Sequence, residues 1–171
     1  MNCKNCGAPM TIMHGGNYLY CEYCSSIHFP QPNRDGVKVL GKPSKTKCPV
    51  CNEVLVTGTI ADAPVLLCRT CRGIIASQSD FRYIVKRQRA HAAGPPDKPK
   101  PLDARELKRK LSCPNCAERM DTHPYYGPGN IVIDICIDCG LVWLDHGELD
   151  TIVDAPGRGR GSARRGTYES D

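Results

Sequence analysis

The chain has 171 residues, 24% of them charged, and contains only two Phe and one Trp. Its apolar stretches are a few residues long, which excludes a membrane-spanning helix, and a chain so poor in aromatic residues is not expected to build one large core. The formal net charge of +5 counts all twelve cysteines as neutral, so it overstates the charge of any form in which they are thiolates.

The twelve cysteines form six Cys-x-x-Cys pairs, and the pairs group into three sets of four along the chain. Fourteen, sixteen and nineteen residues separate the two pairs of the successive sets. One such turn brings two sulfurs to adjacent corners of a tetrahedron, and a second turn, returned by a hairpin, supplies the other two. The pattern therefore predicts three structural zinc sites, with three zinc ions as cofactors. The predicted ligands are Cys3, Cys6, Cys21, Cys24, Cys48, Cys51, Cys68, Cys71, Cys113, Cys116, Cys136 and Cys139.

Iron, six disulfides and redox-active dithiols are the alternatives to zinc. Residues 1–25 contain no sustained apolar run typical of a signal peptide, so we expect a cytoplasmic protein whose cysteines bind metal. Three zinc ions with four thiolates each would bring the net charge to about −1. Five histidines are present, but a site closed by four sulfurs has no open position for water or substrate. We therefore expect no catalytic residues, no enzymatic activity and no small-molecule substrate.

In chain order, the first zinc ribbon is predicted over residues 1–29. A strand over residues 8–14 should turn at Gly15-Gly16-Asn17 and return through residues 18–20, because glycine and asparagine favour tight hairpin turns. Residues 30–47 hold three prolines and two glycines, a composition that predicts a linker.

The second ribbon is predicted over residues 48–93 and should end in a basic helix. Ser77 and Asp80 form a capping-box pattern, which places the start of this helix at about residue 79. An apolar stripe at helical spacing should pack the helix on its ribbon. The residues of this stripe are Phe81, Ile84 and Val85.

Residues 94–112 are predicted to form a proline-rich linker with a short basic helix. The third ribbon is predicted over residues 113–155, and residues 156–171, rich in Gly and Arg, lack the apolar content to fold and are predicted to be a disordered tail. The fold class is thus small, metal-stabilised and mainly β, with three tandem zinc ribbons and short helices after the second and third. We expect three separate modules without a shared core.

The second and third ribbons are internal repeats beyond their cysteines. Nine residues after the last cysteine of each lies an acid, Asp80 or Glu148, and both copies have Ile-Val at thirteen and fourteen residues. In the third copy Trp143 should pack in the core, while Asp145 and Glu148 should cap the last helix.

The segments Cys113-Pro114-Asn115-Cys116 and Cys136 through Leu149 resemble the transcription factor IIB-type zinc-finger family. The resemblance is strongest over residues 113–154 and weaker over 48–85, where Ile75 takes the place of Trp143. Residues 1–29 resemble only a generic zinc ribbon. The resemblance implies a zinc-ribbon fold, and a fold does not by itself establish a role in transcription.

Charge is distributed unevenly along the chain. Residues 80–110 carry ten Lys and Arg against four Asp and Glu, whereas residues 111–154 carry one Arg against eight acids. Regions of opposite charge should not share a partner.

Three functional hypotheses follow. The first is a protein-interaction or assembly module, whose ribbons contact a protein partner or a large assembly. The second is binding of DNA or RNA through phosphate contacts from the basic segment. The third is a switch in which oxidation of a zinc knuckle releases metal. None of them involves a membrane. The candidate nucleic-acid contacts are Arg82, Lys86, Arg87, Arg89, Lys108, Arg109 and Lys110.

Overall fold

The structure is a computed structural model that describes residues 1–13 and 18–163. The predicted hairpin turn at Gly15-Gly16-Asn17 and the end of the predicted tail, residues 164–171, lie outside the described residues. The strands are β1 (Thr11–Ile12), β2 (Leu19–Tyr20), β3 (Ile27–His28), β4 (Lys38–Lys47), β5 (Val54–Ile60), β6 (Ala63–Leu67), β7 (Ile74–Ser77), β8 (Asp121–Pro124), β9 (Val132–Cys136) and β10 (Leu141–Leu144). The helices are α1 (Gln78–His91) and α2 (Glu148–Asp154), with a 3-10 turn at Glu106–Lys108. Neither helix is long and apolar enough to cross a membrane.

The first ribbon is a separate three-stranded antiparallel sheet in the order β1-β2-β3. Its strands have two residues each, so its interior is minimal: Leu19 is buried, and the rings of Tyr18 and Phe29 lie 5.6 Å apart. A ribbon of this size depends on its metal for most of its folding free energy. The mainly β, metal-stabilised fold class predicted from the sequence is confirmed.

The second and third ribbons form one seven-stranded sheet, in the order β4-β5-β6-β7-β10-β9-β8. The expectation of three modules without a shared core is therefore wrong for these two ribbons. The two ribbons are joined by β7 and β10, which pair antiparallel so that Ile75 lies opposite Trp143. Each of these residues is the fourth after the last cysteine of its own repeat. The repeats thus pair through equivalent strands, as the two halves of a two-fold dimer would.

One core is continuous across this pairing. On one face of the sheet, α1 and α2 pack against side chains of both repeats, including Phe81 and Ile84 from the first helix and Leu149 and Ile152 from the second. On the other face, Trp143 is fully buried in a cluster that contains cysteines of both zinc sets. The predicted apolar stripe of α1 and the core position of Trp143 are both observed.

The predicted linker over residues 30–47 contains β4, the longest strand described. Val37 and Leu40 are buried, and the Asn33 side chain accepts a hydrogen bond from the amide of Val37 at 2.8 Å. The strand lies at the edge of the sheet beside β5, and its register shifts on both sides of Pro43. An edge strand tolerates a proline because the missing amide proton is not needed by a neighbour. A proline-rich composition therefore does not distinguish a linker from an edge strand, and the prediction of a linker over residues 30–47 needs this correction.

Two further predictions need correction. The short basic helix of residues 94–112 is only a 3-10 turn of three residues. The start of the predicted disordered tail is ordered, because Arg160 donates to the carboxylate of Asp154 at 3.2 Å and to the carbonyl of Gly94 at 2.9 Å. The amide of Gly161 also donates to the carbonyl of Arg89 at 2.8 Å. Residues 156–163 therefore pack against the ends of both helices.

Candidate functional site

The backbone shapes each pair of cysteines into a zinc knuckle. In the first pair of each set, the amide four residues on donates a hydrogen bond to the carbonyl of the first cysteine, as Asn52 does to Cys48 at 2.9 Å. The residue after the second cysteine takes a positive φ in all six pairs. Glycine and asparagine accept that conformation readily, whereas the other three residues adopt it at a cost. The six residues are Gly7, Ser25, Asn52, Arg72, Ala117 and Gly140.

The structure brings the four sulfurs of each set together. The Sγ atoms of Cys3 and Cys24 are 3.5 Å apart, and those of Cys51 and Cys68 are 3.3 Å apart. These separations are far longer than the roughly 2.05 Å of a disulfide bond. They are close to the roughly 3.8 Å between corners of a tetrahedron whose sulfurs lie about 2.3 Å from zinc. The chain thus has three four-sulfur zinc sites, which when filled hold the knuckles in place.

Polar side chains lie beside the sulfurs of two of the sets. Ser26 lies with its hydroxyl 3.2 Å from the Sγ of Cys24, and hydrogen bonding from Ser26 lowers the pKa of that thiol to about 5. In the third set, the side-chain amide of Asn115 donates to the Sγ of Cys139 at 3.2 Å. These second partners orient the sulfurs toward the metal position.

Arg89, predicted to contact nucleic acid, is instead a structural residue. Only 3% of it is exposed, and its guanidinium donates to the carbonyl of Ala155 at 2.9 Å and to that of Arg158 at 3.1 Å. It also contacts the carbonyl of Ile152. Burial lowers the pKa of Arg89. Because its donors satisfy the last carbonyls of α2, Arg89 joins α1 to α2 and is not available to phosphate.

We expect Arg89→Met to lower the free energy of unfolding by about 2 kcal/mol, because several buried carbonyls lose their donor. The matched control is Lys86→Met, on the exposed face of the same helix, which should change stability by less than about 0.5 kcal/mol. Urea denaturation of the zinc-loaded chain measures both. Equal effects of the two substitutions would contradict the structural role of Arg89.

Arg109 is likewise committed to internal contacts. Its guanidinium pairs with the carboxylates of Asp134 and Asp145, and Asp134 is fully buried. Burial alone would lower the pKa of Arg109, but the hydrogen bonds that it donates to these two carboxylates raise the pKa overall. Five predicted contacts stay on the surface, and they are Arg82, Lys86, Arg87, Lys108 and Lys110.

Side-chain hydrogen bonds fix the conformation of the region after β10, and the sequence predicted only some of the residues that form them. Trp143 donates through Nε1 to Asp145 at 3.1 Å, and the amide of Asp145 donates to Glu148 at 2.6 Å. Asp145 does not cap α2, whose N-cap residue is Gly147. The cap comes from buried Asp35, which accepts hydrogen bonds from the amides of Gly147 and Asp150.

Asp35 also accepts from the Nδ1 of His146 at 3.0 Å. It lies in the segment predicted to be a linker, more than a hundred residues from the helix it caps. The local sequence holds no signal for that contact, because the partner is set by the fold. Helix capping by Asp35 therefore attaches residues 30–47 to the third ribbon.

Comparison with known families places residues 112–155 in the Transcription factor zinc-finger family, the segment for which the sequence resemblance was strongest. Comparison of the chain with curated proteins and with solved structures finds no significant match. The matched segment includes the third cysteine set, the buried Trp143 and helix α2. Residues 112–155 are therefore a zinc ribbon of the transcription factor IIB type.

Proposed function

We propose that the chain is a non-enzymatic protein-interaction or assembly module stabilised by three zinc ions. The observation that carries the proposal is a group of exposed apolar side chains on the first ribbon. Tyr23, Ile27 and Phe29 are 83%, 55% and 61% exposed in a segment of seven residues. Clustered apolar side chains of this size are favoured at protein-binding surfaces, and the zinc knuckle around Tyr23 keeps it rigid.

The surroundings of the first ribbon support the same proposal. A groove of about 460 Å³ lies between Ile12 of the first ribbon, Leu40 of β4 and the face of the shared sheet. The hydroxyls of Thr57 and Thr59 line it and have no hydrogen-bond partner among the described residues. A partner segment with apolar side chains fits this lining, because it would bury the apolar wall.

Nucleic-acid binding is the second candidate, and the exposed face of α1 favours it. Arg82, Lys86 and Arg87 are exposed on that helix, at spacings that place them close together. Three cations can attract a phosphate backbone without reading sequence. The candidate is weakened by the internal pairing of Arg89 and Arg109, which removes two of the seven predicted contacts.

To test the first proposal, the zinc-loaded chain is used to purify cross-linked partners, and binding to each purified partner is then measured. We expect Tyr23→Ser with Phe29→Ser to weaken protein binding by roughly tenfold or more, because exposed aromatic anchors dominate interface energies. The matched control is Tyr126→Ser, which replaces a tyrosine that is 91% exposed on the third ribbon. This control should bind as the unmodified chain does.

The same experiment also tests nucleic-acid binding. If the recovered partner is DNA or RNA, the double serine variant should bind normally. Charge reversal at Arg82, Lys86 and Arg87 should then weaken binding and flatten its salt dependence. Recovery of a protein that binds the double serine variant equally well would overturn the role of the first ribbon.

A further inference from the structure

Three carboxylates that belong to no zinc set meet beside the third ribbon. Glu106 comes from the 3-10 turn, Asp145 follows β10, and Glu148 begins α2. One oxygen atom from each lies within 4.8 Å of the other two. Because like charges at this distance repel, the arrangement needs a compensating group.

Glu148 shows most clearly that a partner is missing. The residue is only 8% exposed, and one of its oxygens, Oε2, accepts the amide of Asp145 at 2.6 Å. The other oxygen, Oε1, is buried and has no hydrogen-bond partner among the described residues. Burial, together with the charges of Asp145 and Glu106, raises the pKa of Glu148 to about 9. A buried carboxylate oxygen without a donor costs free energy unless a cation or proton occupies it.

The nearby protein cations do not fill this role. Arg109 is shared by Asp134 and Asp145, and neither Glu106 nor Glu148 has an ion-pair partner in residues 1–13 and 18–163. A cavity of about 230 Å³ adjoins Glu106 and Glu148. Its other walls include Lys100 and Asp103. They also include Arg34, which pairs with Asp150, and His146, which is hydrogen-bonded to Asp35. The two glutamates therefore face an opening from which a small cation could reach them.

We propose that Glu106, Asp145 and Glu148 bind one hard divalent cation of the size of Ca²⁺. Oxygen ligands at about 2.3–2.6 Å from Ca²⁺ can lie up to about 5 Å apart on opposite sides of the ion, which accommodates the observed spacing. Carboxylates select such hard cations, whereas the thiolate sets select zinc. The bound cation would tie the segment between the two ribbons to the start of α2, and it is independent of the partner proposed above.

The chain itself offers a specific probe for this site. Trp143 is the only tryptophan, and its Nε1 donates to the ligand Asp145 at 3.1 Å. Tb³⁺ takes the same oxygen ligands as Ca²⁺, and Tb³⁺ bound beside an excited tryptophan emits by energy transfer. We expect selective excitation of Trp143 in the zinc-loaded chain to give saturable Tb³⁺ emission at one ion per chain. Ca²⁺ should displace Tb³⁺, and Mg²⁺ should do so less effectively because it requires shorter distances.

Glu106→Gln and Glu148→Gln should each weaken Tb³⁺ binding by roughly tenfold or more, since each removes a charged ligand. The matched control is Asp121→Asn, an exposed acid on β8, which should bind as the unmodified chain does. Zinc content is measured in every variant. If Glu148→Gln loses zinc, Tb³⁺ binding by Glu106→Gln is the deciding measurement, because Glu106 lies on a short turn outside the ribbons. Absent emission, or unchanged binding in Glu106→Gln, overturns the proposal.

Discussion

Cys116→Ser is expected to unfold the second ribbon together with the third. Cys116 is exposed, so the substitution acts through loss of zinc and removes little packing. A four-sulfur site in a small ribbon contributes on the order of 10–16 kcal/mol to folding, which is comparable to the whole stability of a typical domain. Because β10 of the third ribbon pairs with β7 of the second, loss of the third ribbon exposes the core that both share.

The matched control for this prediction is Cys6→Ser, which removes an exposed cysteine from the first set. The first ribbon has its own sheet, so we expect only its resonances to change in a heteronuclear correlation spectrum. Zinc content should fall from three ions to two in the control, with the second and third ribbons intact. Unchanged resonances from β5 and β6 in Cys116→Ser would show that the two ribbons fold separately despite their shared sheet.

The metal sites could be predicted from the sequence because their geometry is local. A Cys-x-x-Cys turn and the positive φ that follows it depend on a few neighbouring residues. The positions of the cysteines in the sequence also mark the first and last residue of each set. The helix α1 was predictable for the same reason: Ser77 accepts the amide of Asp80 at 3.0 Å, and an apolar stripe follows at helical spacing.

The contacts that join the ribbons could not be predicted in this way. Val37, just before strand β4, is buried in the core that the second and third ribbons build together, and this contact is not visible in the local sequence. The charge count also wrongly included Arg89 and Arg109 among the cations available to nucleic acid. Composition does not show which arginines lie beside buried carbonyls or carboxylates. Basic segments therefore overstate the number of cations available to a partner.

One sequence difference between the repeats did carry information about their pairing. Gly73 is the second residue after the last cysteine of its repeat, and the equivalent residue in the other repeat is Leu141. The ring of Trp143 lies against Gly73, whereas Leu141 packs near Ile75, the smaller counterpart of Trp143. The glycine thus faces the large side chain, and the leucine faces the small one. Such size complementarity is what a close-packed interface between two repeats requires.

Gly73→Ala is therefore expected to be strongly destabilising. The added methyl would overlap two ring carbons of Trp143 and lie 3.0 Å from Cε2, and the ring is fully buried in a packed cluster. We expect the free energy of unfolding to fall by about 3 kcal/mol or more, at the upper end of the usual cost of overpacking. Urea denaturation of the zinc-loaded chain measures this change.

The control for Gly73→Ala is Gly94→Ala, where the added methyl meets nothing within 4 Å. Its φ of +76° should cost only about 1 kcal/mol. Combining Gly73→Ala with Trp143→Ile tests the mechanism, because a smaller side chain removes the overlap and the two substitutions should then destabilise less than the sum of their separate effects. Strict additivity in this pair would show that Gly73→Ala does not act through overlap with Trp143.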